Sequence, residues 1–415
     1  MAFKQLRQRI VFTIIVVFLT RLIAHIPLPG IDTSQLSDFF SRNQVFGMLD
    51  MLSGGAMRQL SVAMMGVGPY ITSSIMMQLL TIVVPRLEAL SKEGSQGHYK
   101  INQYTRYLTV PMGILQAYGM IILLKSQGAI GSLPSGSDFA LMLLASTAGC
   151  LLLMWLGELI SENGIGNGVS LIITVGILGG VPPQIRNTLA IMDSQRIFGL
   201  IGYGVLALLT VAAIVFITEG ERKVPITYAR ASSRKTGIGE VVSYLPIRIA
   251  AAGVIPIIFA MSFMVFPEFV GQFFSQARSA WLAYGARALV NIFHNDTFYS
   301  IFYFLLVVGF TYFYTFIIFK PEQIAENLQK QGGFIPGYRP GQETRDFLYN
   351  LVLRITLAGS IFLGLIAVMP LFIREMTGVT TLVISGTGVL IVVTVIVETL
   401  RQIRSQLLAK VYEVY

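Results

Sequence analysis

A chain of 415 residues with 54% hydrophobic and only 12% charged side chains is too apolar for a soluble domain, where charged residues run at about 25%. A mean hydropathy of +0.69 agrees, and the composition specifies a polytopic membrane protein. The single cysteine, Cys150, excludes an intramolecular disulfide, and the scattered His25, His98 and His294 offer no metal-ligand spacing. The net charge of +9 is read by location, because Lys and Arg set orientation in a membrane.

Lys4, Arg7 and Arg9 precede an apolar run over 10–26. The run resembles a signal peptide without a small-residue cleavage site, so an uncleaved first span is expected. The stretch 46–85 organises the chain. Its first part, 49–60, is interrupted by Asp50, Arg58 and Gly54-Gly55 and is too short to cross, since a span needs roughly 20 apolar residues. A short re-entrant helix is expected there, tolerated only where protein buries it or water lines it; a helix lying in the interface is the alternative. After Gly66-Val67-Gly68-Pro69 comes a charge-free span over 67–84. Further apolar windows cover 107–124, 139–159, 169–181, 198–218, 249–266, 298–319, 355–372 and 380–397, which makes ten spans.

The fifth window has only 13 residues before Pro182-Pro183. Charge decides for it. With ten spans and both termini inside, the cytoplasmic segments hold 21 of the 30 Lys and Arg. Deleting the fifth span moves the basic segment 219–248 outside, against the positive-inside bias. Gly176, Gly179 and Gly180 suit a short helix shielded by its neighbours. Two halves of five spans then have opposite topology, as in inverted repeats, although only the count supports this. The expected division is 1–190, 191–400 and a cytoplasmic tail, 401–415.

The large inside segments are 86–106, 219–248 and 320–354. The last has turns forced by Gly332-Gly333, Pro336-Gly337 and Pro340-Gly341. Solvated orienting loops explain most of their charge, but their length suits a binding surface for a partner with acidic groups.

Catalytic signatures are missing: the chain has no HExxH, GxSxG, GxxxxGK[ST] or paired intramembrane carboxylates. Gly164-Ile165-Gly166-Asn167-Gly168 resembles a glycine fingerprint but follows a helix end and reads as a turn. Within the spans only Arg21 is charged, with Glu158 at an edge. Coupled transporters and intramembrane proteases keep such residues for function, so both readings lose support. Val67, Ile71 and Ile75 fall four residues apart on one stripe of the second span. Such a stripe is more often core than pore, yet an apolar constriction closes a pore to water and ions by dewetting.

The chain resembles the SecY family, the channel subunits of the bacterial Sec translocase. The resemblance rests on IPLPGID (26–32), LSGGA, GPYITSSIMMQLL, KINQYTRY (100–107), GELISENGIGNGVSLII (157–173), ERKVPITYAR (221–230), AGVIPIIFA (252–260) and GGFIPGYRPG (332–341), in the family's order.

The resemblance implies an all-α bundle of ten transmembrane helices in two inverted halves, acting as a passive protein-conducting channel and not as an enzyme. It implies a plug over 49–60 that includes Leu49, Met51, Leu52, Ser53, Gly54, Gly55 and Met57. It implies a pore ring of Val67, Ile71, Ile75, Ile173, Ile258 and Ile391. A lateral gate between the second/third and seventh/eighth spans is expected, with Thr72, Gln78 and Phe266 at its seam. Arg230, Arg234, Lys235 and Arg339 match residues that contact the SecA motor or the ribosome. SecE and SecG are the implied small subunits, no cofactor or metal is implied, and the location is the bacterial plasma membrane. The sequence departs from the family at Gly97-His98-Tyr99-Lys100, usually a basic cluster, and at Ala250, usually an asparagine. A secondary transporter with inverted repeats is the rival reading, and a membrane-embedded enzyme comes third.

Overall fold

The computed structural model describes residues 2–28, 53, 55–57, 59–126, 136–190, 197–228, 243–274, 279–293, 295–377 and 386–412. By internal contacts the chain divides into two compact units. One comprises Met1–Ile197, Met261–Tyr299 and Gly378–Tyr415; the other comprises Phe198–Ala260 and Ser300–Thr377. A helix occupies each of the ten apolar windows.

The first unit begins with α1 (Ala2–Ile23), α2 (Gly68–Val83), α3 (Pro85–Lys92) and α4 (Ser95–Ser126). α5 (Gly136–Asn163) and α6 (Gly168–Ala190) follow, and α13 (Gly386–Tyr412) joins them from the C-terminus. α2 and α3 meet at 100°. Val84 is extended with ψ 111° and Pro85 opens α3, as expected where proline bars the α region to the residue before it. The segment 86–106 is therefore helical for most of its length, and His98 and Tyr99 sit on the first turns of α4 instead of a loop tip.

α5 packs against α1, α2, α4 and α6, and α6 packs in turn against α13. Glycines permit the approach. A Cβ at Gly149 would run into the Val62 carbonyl, and one at Gly168 into the Gly157 carbonyl. Small residues let membrane helices come this close. The glycine run 164–168 is a turn, as read from the sequence, and Gly166 has φ +84°. The turn also ties distant helices together. Thr13 Oγ1 accepts the Ile165 N–H (3.1 Å), Gln402 Oε1 accepts the Gly166 N–H (2.7 Å), and Ser161 Oγ accepts the Gly168 N–H (2.9 Å).

The second unit holds α7 (Ile197–Glu219) apart from Ile197, α10 (Asp296–Ile318) from Ser300 onward, α11 (Pro321–Lys330) and α12 (Gln342–Thr377). α8 (Ile255–Phe274) begins in it. Gly136–Asn163, Thr297–Lys330 and Gln342–Met369 are each long and apolar enough to cross a membrane unaided.

The second unit also contains a feature the sequence reading did not expect. Its charged segments fold into a sheet of β1 (Glu221–Tyr228), β2 (Ser243–Arg248) and β3 (Gly333–Phe334), in the order β2-β1-β3. The strands are antiparallel, with Glu221 opposite Arg248, Ile226 opposite Ser243 and Thr227 opposite Phe334. Val224 and Ile247 turn inward onto Ile335, Leu348 and Val352. The alternate residues Glu221, Lys223 and Pro225 face out, which is the period of two that a half-buried strand shows. Proline is tolerated in β1 because β3 pairs only with Thr227 and Tyr228, leaving Pro225 without a strand partner on that side among the described residues. The fold is thus polytopic and helical, and among the described residues the second unit carries one small sheet.

Candidate functional site

The organising stretch differs from its expected form. Of the anticipated short helix over 49–60, residues Ser53, Gly55–57 and 59–60 are described, and they form bends and turns continuing to α2. Leu49, Met51, Leu52 and Gly54 lie outside the described residues. The Met57 N–H donates to Ser53 Oγ at 3.3 Å, and Gly55 has φ +82°. The turns are not helical because the chain folds back on α1's exit: the Leu28 N–H donates to the Leu60 carbonyl (2.8 Å) and the Val62 N–H to the Ile26 carbonyl (2.9 Å). Met57, Leu60, Met64 and Met65 are buried with Leu28, Ile121, Leu124 and Met142 in one apolar cluster.

α2 shows which way its stripe turns. Pro69, Ser73 and Met77 are its buried residues. Ile71 and Ile75 are half-buried and lie about 200° around the helix from Ser73 and Met77, at 3.6 residues per turn. The aliphatic stripe is therefore not the face by which α2 packs. Among the other expected ring residues, Val67, Ile173, Ile258 and Ile391 are buried, Ile258 in the second unit and the rest in the first.

Polar residues beside that stripe are linked within the first unit. Thr72 Oγ1 donates to the Gly68 carbonyl at 3.1 Å and lies 3.3 Å from Gln116 Nε2, from which it accepts. Gln78 Nε2 donates to Ser74 Oγ at 3.3 Å, while Gln78 Oε1 is buried with no hydrogen-bond partner among the described residues. An unpaired buried acceptor costs about 1–3 kcal/mol, which marks this part of α2 as polar without being fully satisfied. Phe266 lies on α8, with its side chain outside the described set.

The charges at membrane depth have structural explanations. Arg21 lies over α6, where a Cβ at Gly179 would stand 2.5 Å from its Nη2. The glycine of the short fifth span makes room for the guanidinium. Arg106 Nε donates to Glu158 Oε1 at 2.8 Å, joining α4 to α5. Neither partner of that pair was paired with the other by sequence reading, because 52 residues separate them.

At the charged end of the second unit, the acidic side chains are engaged. Glu326 meets Lys330 (2.8 Å), Glu322 meets Arg345 (3.3 Å) and Glu221 meets Lys223 (3.5 Å). The hydrogen bond from Lys330 holds the Glu326 carboxyl below its ordinary range. Arg222, Arg248, Lys320, Arg339 and Arg354 are exposed and make no ion pair among the described residues. The surplus is a positive surface.

Arg339 sits between Gly337 (φ +89°) and Gly341 (φ +107°). Its N–H donates to Glu343 Oε2 (3.0 Å) and its carbonyl accepts from Thr344 Oγ1 (2.8 Å), so the backbone is clamped while the guanidinium is exposed and makes no ion pair among the described residues. Tyr338 stacks on Phe347 with ring centroids 4.3 Å apart. Beside them opens a cleft of about 560 Å³ lined by Gly337, Glu343, Asp346 and Arg354. Arg230, Arg234 and Lys235, between β1 and β2 in sequence, lie outside the described residues. The sequence signal for β1 is the alternation of Val224, Ile226 and Tyr228 in ERKVPITY, which the flanking charge masks.

The SecY family profile matches residues 61–400. The protein translocase subunit SecY of Streptomyces galbus is 40% identical, with 98% of this chain and 96% of that protein covered. Its counterpart from Pseudomonas aeruginosa is 38% identical over 98% and 92% of the two chains. A solved structure described as a protein-conducting channel matches with a TM-score of 0.67 at 19% identity, over 97% of this chain and 92% of the other. Sec61 from a canine ribosome-channel complex matches with a TM-score of 0.64 at 18% identity, over 97% and 92%. The likeness in sequence runs nearly end to end, and the chain belongs to the SecY family.

Proposed function

We propose that this chain is the passive protein-conducting channel of a bacterial plasma-membrane translocase. It passes unfolded preproteins across the membrane and releases transmembrane segments sideways into lipid. It is a channel and not an enzyme, so the work comes from outside: from the SecA motor or from synthesis on the ribosome. The observation that carries this reading is the orientation of α2, whose Ile71 and Ile75 lie off the packed face formed by Pro69, Ser73 and Met77. A branched aliphatic surface offers a sliding chain no hydrogen-bond partner and excludes water when closed.

In this reading Val67, Ile71, Ile75, Ile173, Ile258 and Ile391 form the constriction, and the segment 49–60 is the plug. The halves 1–190 and 191–400 part at a lateral gate carrying Thr72, Gln78 and Phe266, and 401–415 is a cytoplasmic tail. The positive surface around Arg339, with Arg230, Arg234 and Lys235, docks SecA or the ribosome. Sec61 and Ssh1, which share the fold, were solved on ribosomes. SecE and SecG clamp the bundle, and both termini are cytoplasmic.

The gate supplies the test. In a Cys150→Ser background, Thr72→Cys and Phe266→Cys are introduced together. A disulfide requires a Cα separation of about 4.4–6.8 Å, so its formation reports that α2 and α8 adjoin. Oxidation should block both export and lateral release, and reductant should restore them. A transporter for small molecules has no reason to open toward lipid. Export by the cross-linked protein at the reduced rate would overturn the gate and favour that rival.

A further inference from the structure

Helix α9 (Ala280–Phe293) has no part in the conduit, the gate or the docking surface. It was not foreseen from the sequence, and its two faces are both apolar. One face, with Ala283, Ala286, Leu289, Val290 and Phe293 half-buried, packs on α8. There a Cβ at Gly271 would stand 2.7 Å from Val290 Cγ2 and 3.2 Å from Leu289 Cδ2.

The opposite face is formed by Trp281, Tyr284, Ala288 and Ile292, which fall on one stripe at 100° per residue. Trp281 is 75% exposed, Tyr284 79% and Ile292 49%. A water-facing helix should show polar residues on that side. Here the polar neighbours are Arg287 and Asn291 along one edge, and α9 contains no acidic residue.

The helix is held at a definite level. Phe293 meets Phe298 edge to face, with centroids 5.5 Å apart. Asn295 Oδ1 accepts the N–H groups of Thr297 (3.1 Å) and Phe298 (3.3 Å), so the chain turns from α9 directly into α10. α10 opens the stretch Thr297–Lys330, which is long and apolar enough to cross a membrane. The end of α9 is thus held at the start of α10, a helix that opens a stretch able to cross a membrane. Exposed Trp and Tyr at the boundary of a span are anchors in the headgroup region. A helix with an aromatic-aliphatic face and a basic edge lies in that plane.

We infer that α9 is an interfacial helix bound to phospholipid, with Trp281, Tyr284 and Ile292 at the headgroup–acyl boundary and Arg287 paired with lipid phosphate. Anionic phospholipid is the favoured occupant, because the edge carries an Arg without an ion-pair partner among the described residues and no carboxylate. Through Gly271 the lipid that holds α9 also seats the adjoining end of α8. The inference needs only the membrane setting and not the channel reading.

The test uses intrinsic fluorescence. The chain has two tryptophans, so Trp155→Phe leaves Trp281 as the sole emitter. The full-length variant is reconstituted in vesicles of phosphatidylcholine and phosphatidylglycerol brominated either near the glycerol or near the chain ends. The loss of emission should be larger with the shallow label than with the deep one, and aqueous iodide should quench little. Quenching by iodide alone would place the stripe in water, and protection from every quencher would place it under protein; either result overturns the inference. Stronger quenching by the deep label overturns the interfacial placement. If the Trp155→Phe protein does not assemble, the difference between wild type and Trp281→Phe isolates the same emitter and is read by the same criteria.

Discussion

Leu60 sets a side-chain effect against a backbone effect of opposite sign. It is 1% exposed, packed with Met57, Met64, Ile121 and Met142. It is also the non-glycine residue with positive φ, +41°, among the described residues. Truncating a buried leucine to alanine costs about 2–5 kcal/mol in lost burial and cavity. At tenfold per 1.4 kcal/mol, opening of the turn segment should rise by about thirtyfold at the low end. Leucine and alanine both bear the left-handed backbone strain, about 1–2 kcal/mol, and glycine does not. Burial therefore wins in both variants, but Leu60→Gly should be the milder by about 1 kcal/mol, the reverse of the usual order. The native Cys150 reports the opening. It is 1% exposed, and its neighbour Gly149 lies against the Val62 carbonyl, so lifting the turns uncovers the thiol. The labelling rate by N-ethylmaleimide in membranes should increase about thirtyfold or more for Leu60→Ala and less for Leu60→Gly. Leu60→Met should stay near wild type, because volume-conserving swaps cost under about 1.5 kcal/mol. A wild-type rate in the folded Ala variant would refute the packing argument. A Gly variant opening faster than the Ala variant would refute the strain.

Three further outcomes are expected. Replacing Ile71 and Ile391 together with Asn should wet the constriction and raise resting ion conductance in planar bilayers; an unchanged leak returns both residues to ordinary core. Arg339→Glu reverses an exposed, fork-shaped charge held on a clamped turn, so SecA-driven export into membrane vesicles should be lost while the protein still inserts; full export would remove Arg339 from the docking surface. Gly149→Ala should lower the thermal midpoint in detergent, because its Cβ meets backbone. Gly202→Ala, whose Cβ would meet nothing within 4 Å, should raise the midpoint slightly, by about 0.5–1 kcal/mol of helix stability, and equal midpoints would contradict the close approach.

The helical windows were legible because transfer into lipid is a local property. Eighteen charge-free residues from Val67 to Val84 form a helix whatever surrounds them, since the bilayer leaves backbone groups no other partner. The glycine turn at 164–168 was readable for the same reason: φ limits act on one residue at a time. Direction was not. Nothing in 67–84 says that α2 packs through Pro69, Ser73 and Met77 and leaves Ile71 and Ile75 off that face, because in an apolar helix hydrophobicity is the same all round. Arg21 over Gly179 and Arg106 on Glu158 join residues far apart in the chain, and only packing brings them together. Turns at 55–57 and 59–60 stand where a short helix over 49–60 was expected, because the Leu28 N–H takes the Leu60 carbonyl and the Ile26 carbonyl takes the Val62 N–H. In α9 the lesson is the same: its sequence does not mark a packing face, and the tertiary structure decided that Leu289 and Val290 meet α8 while Trp281 and Tyr284 stay exposed.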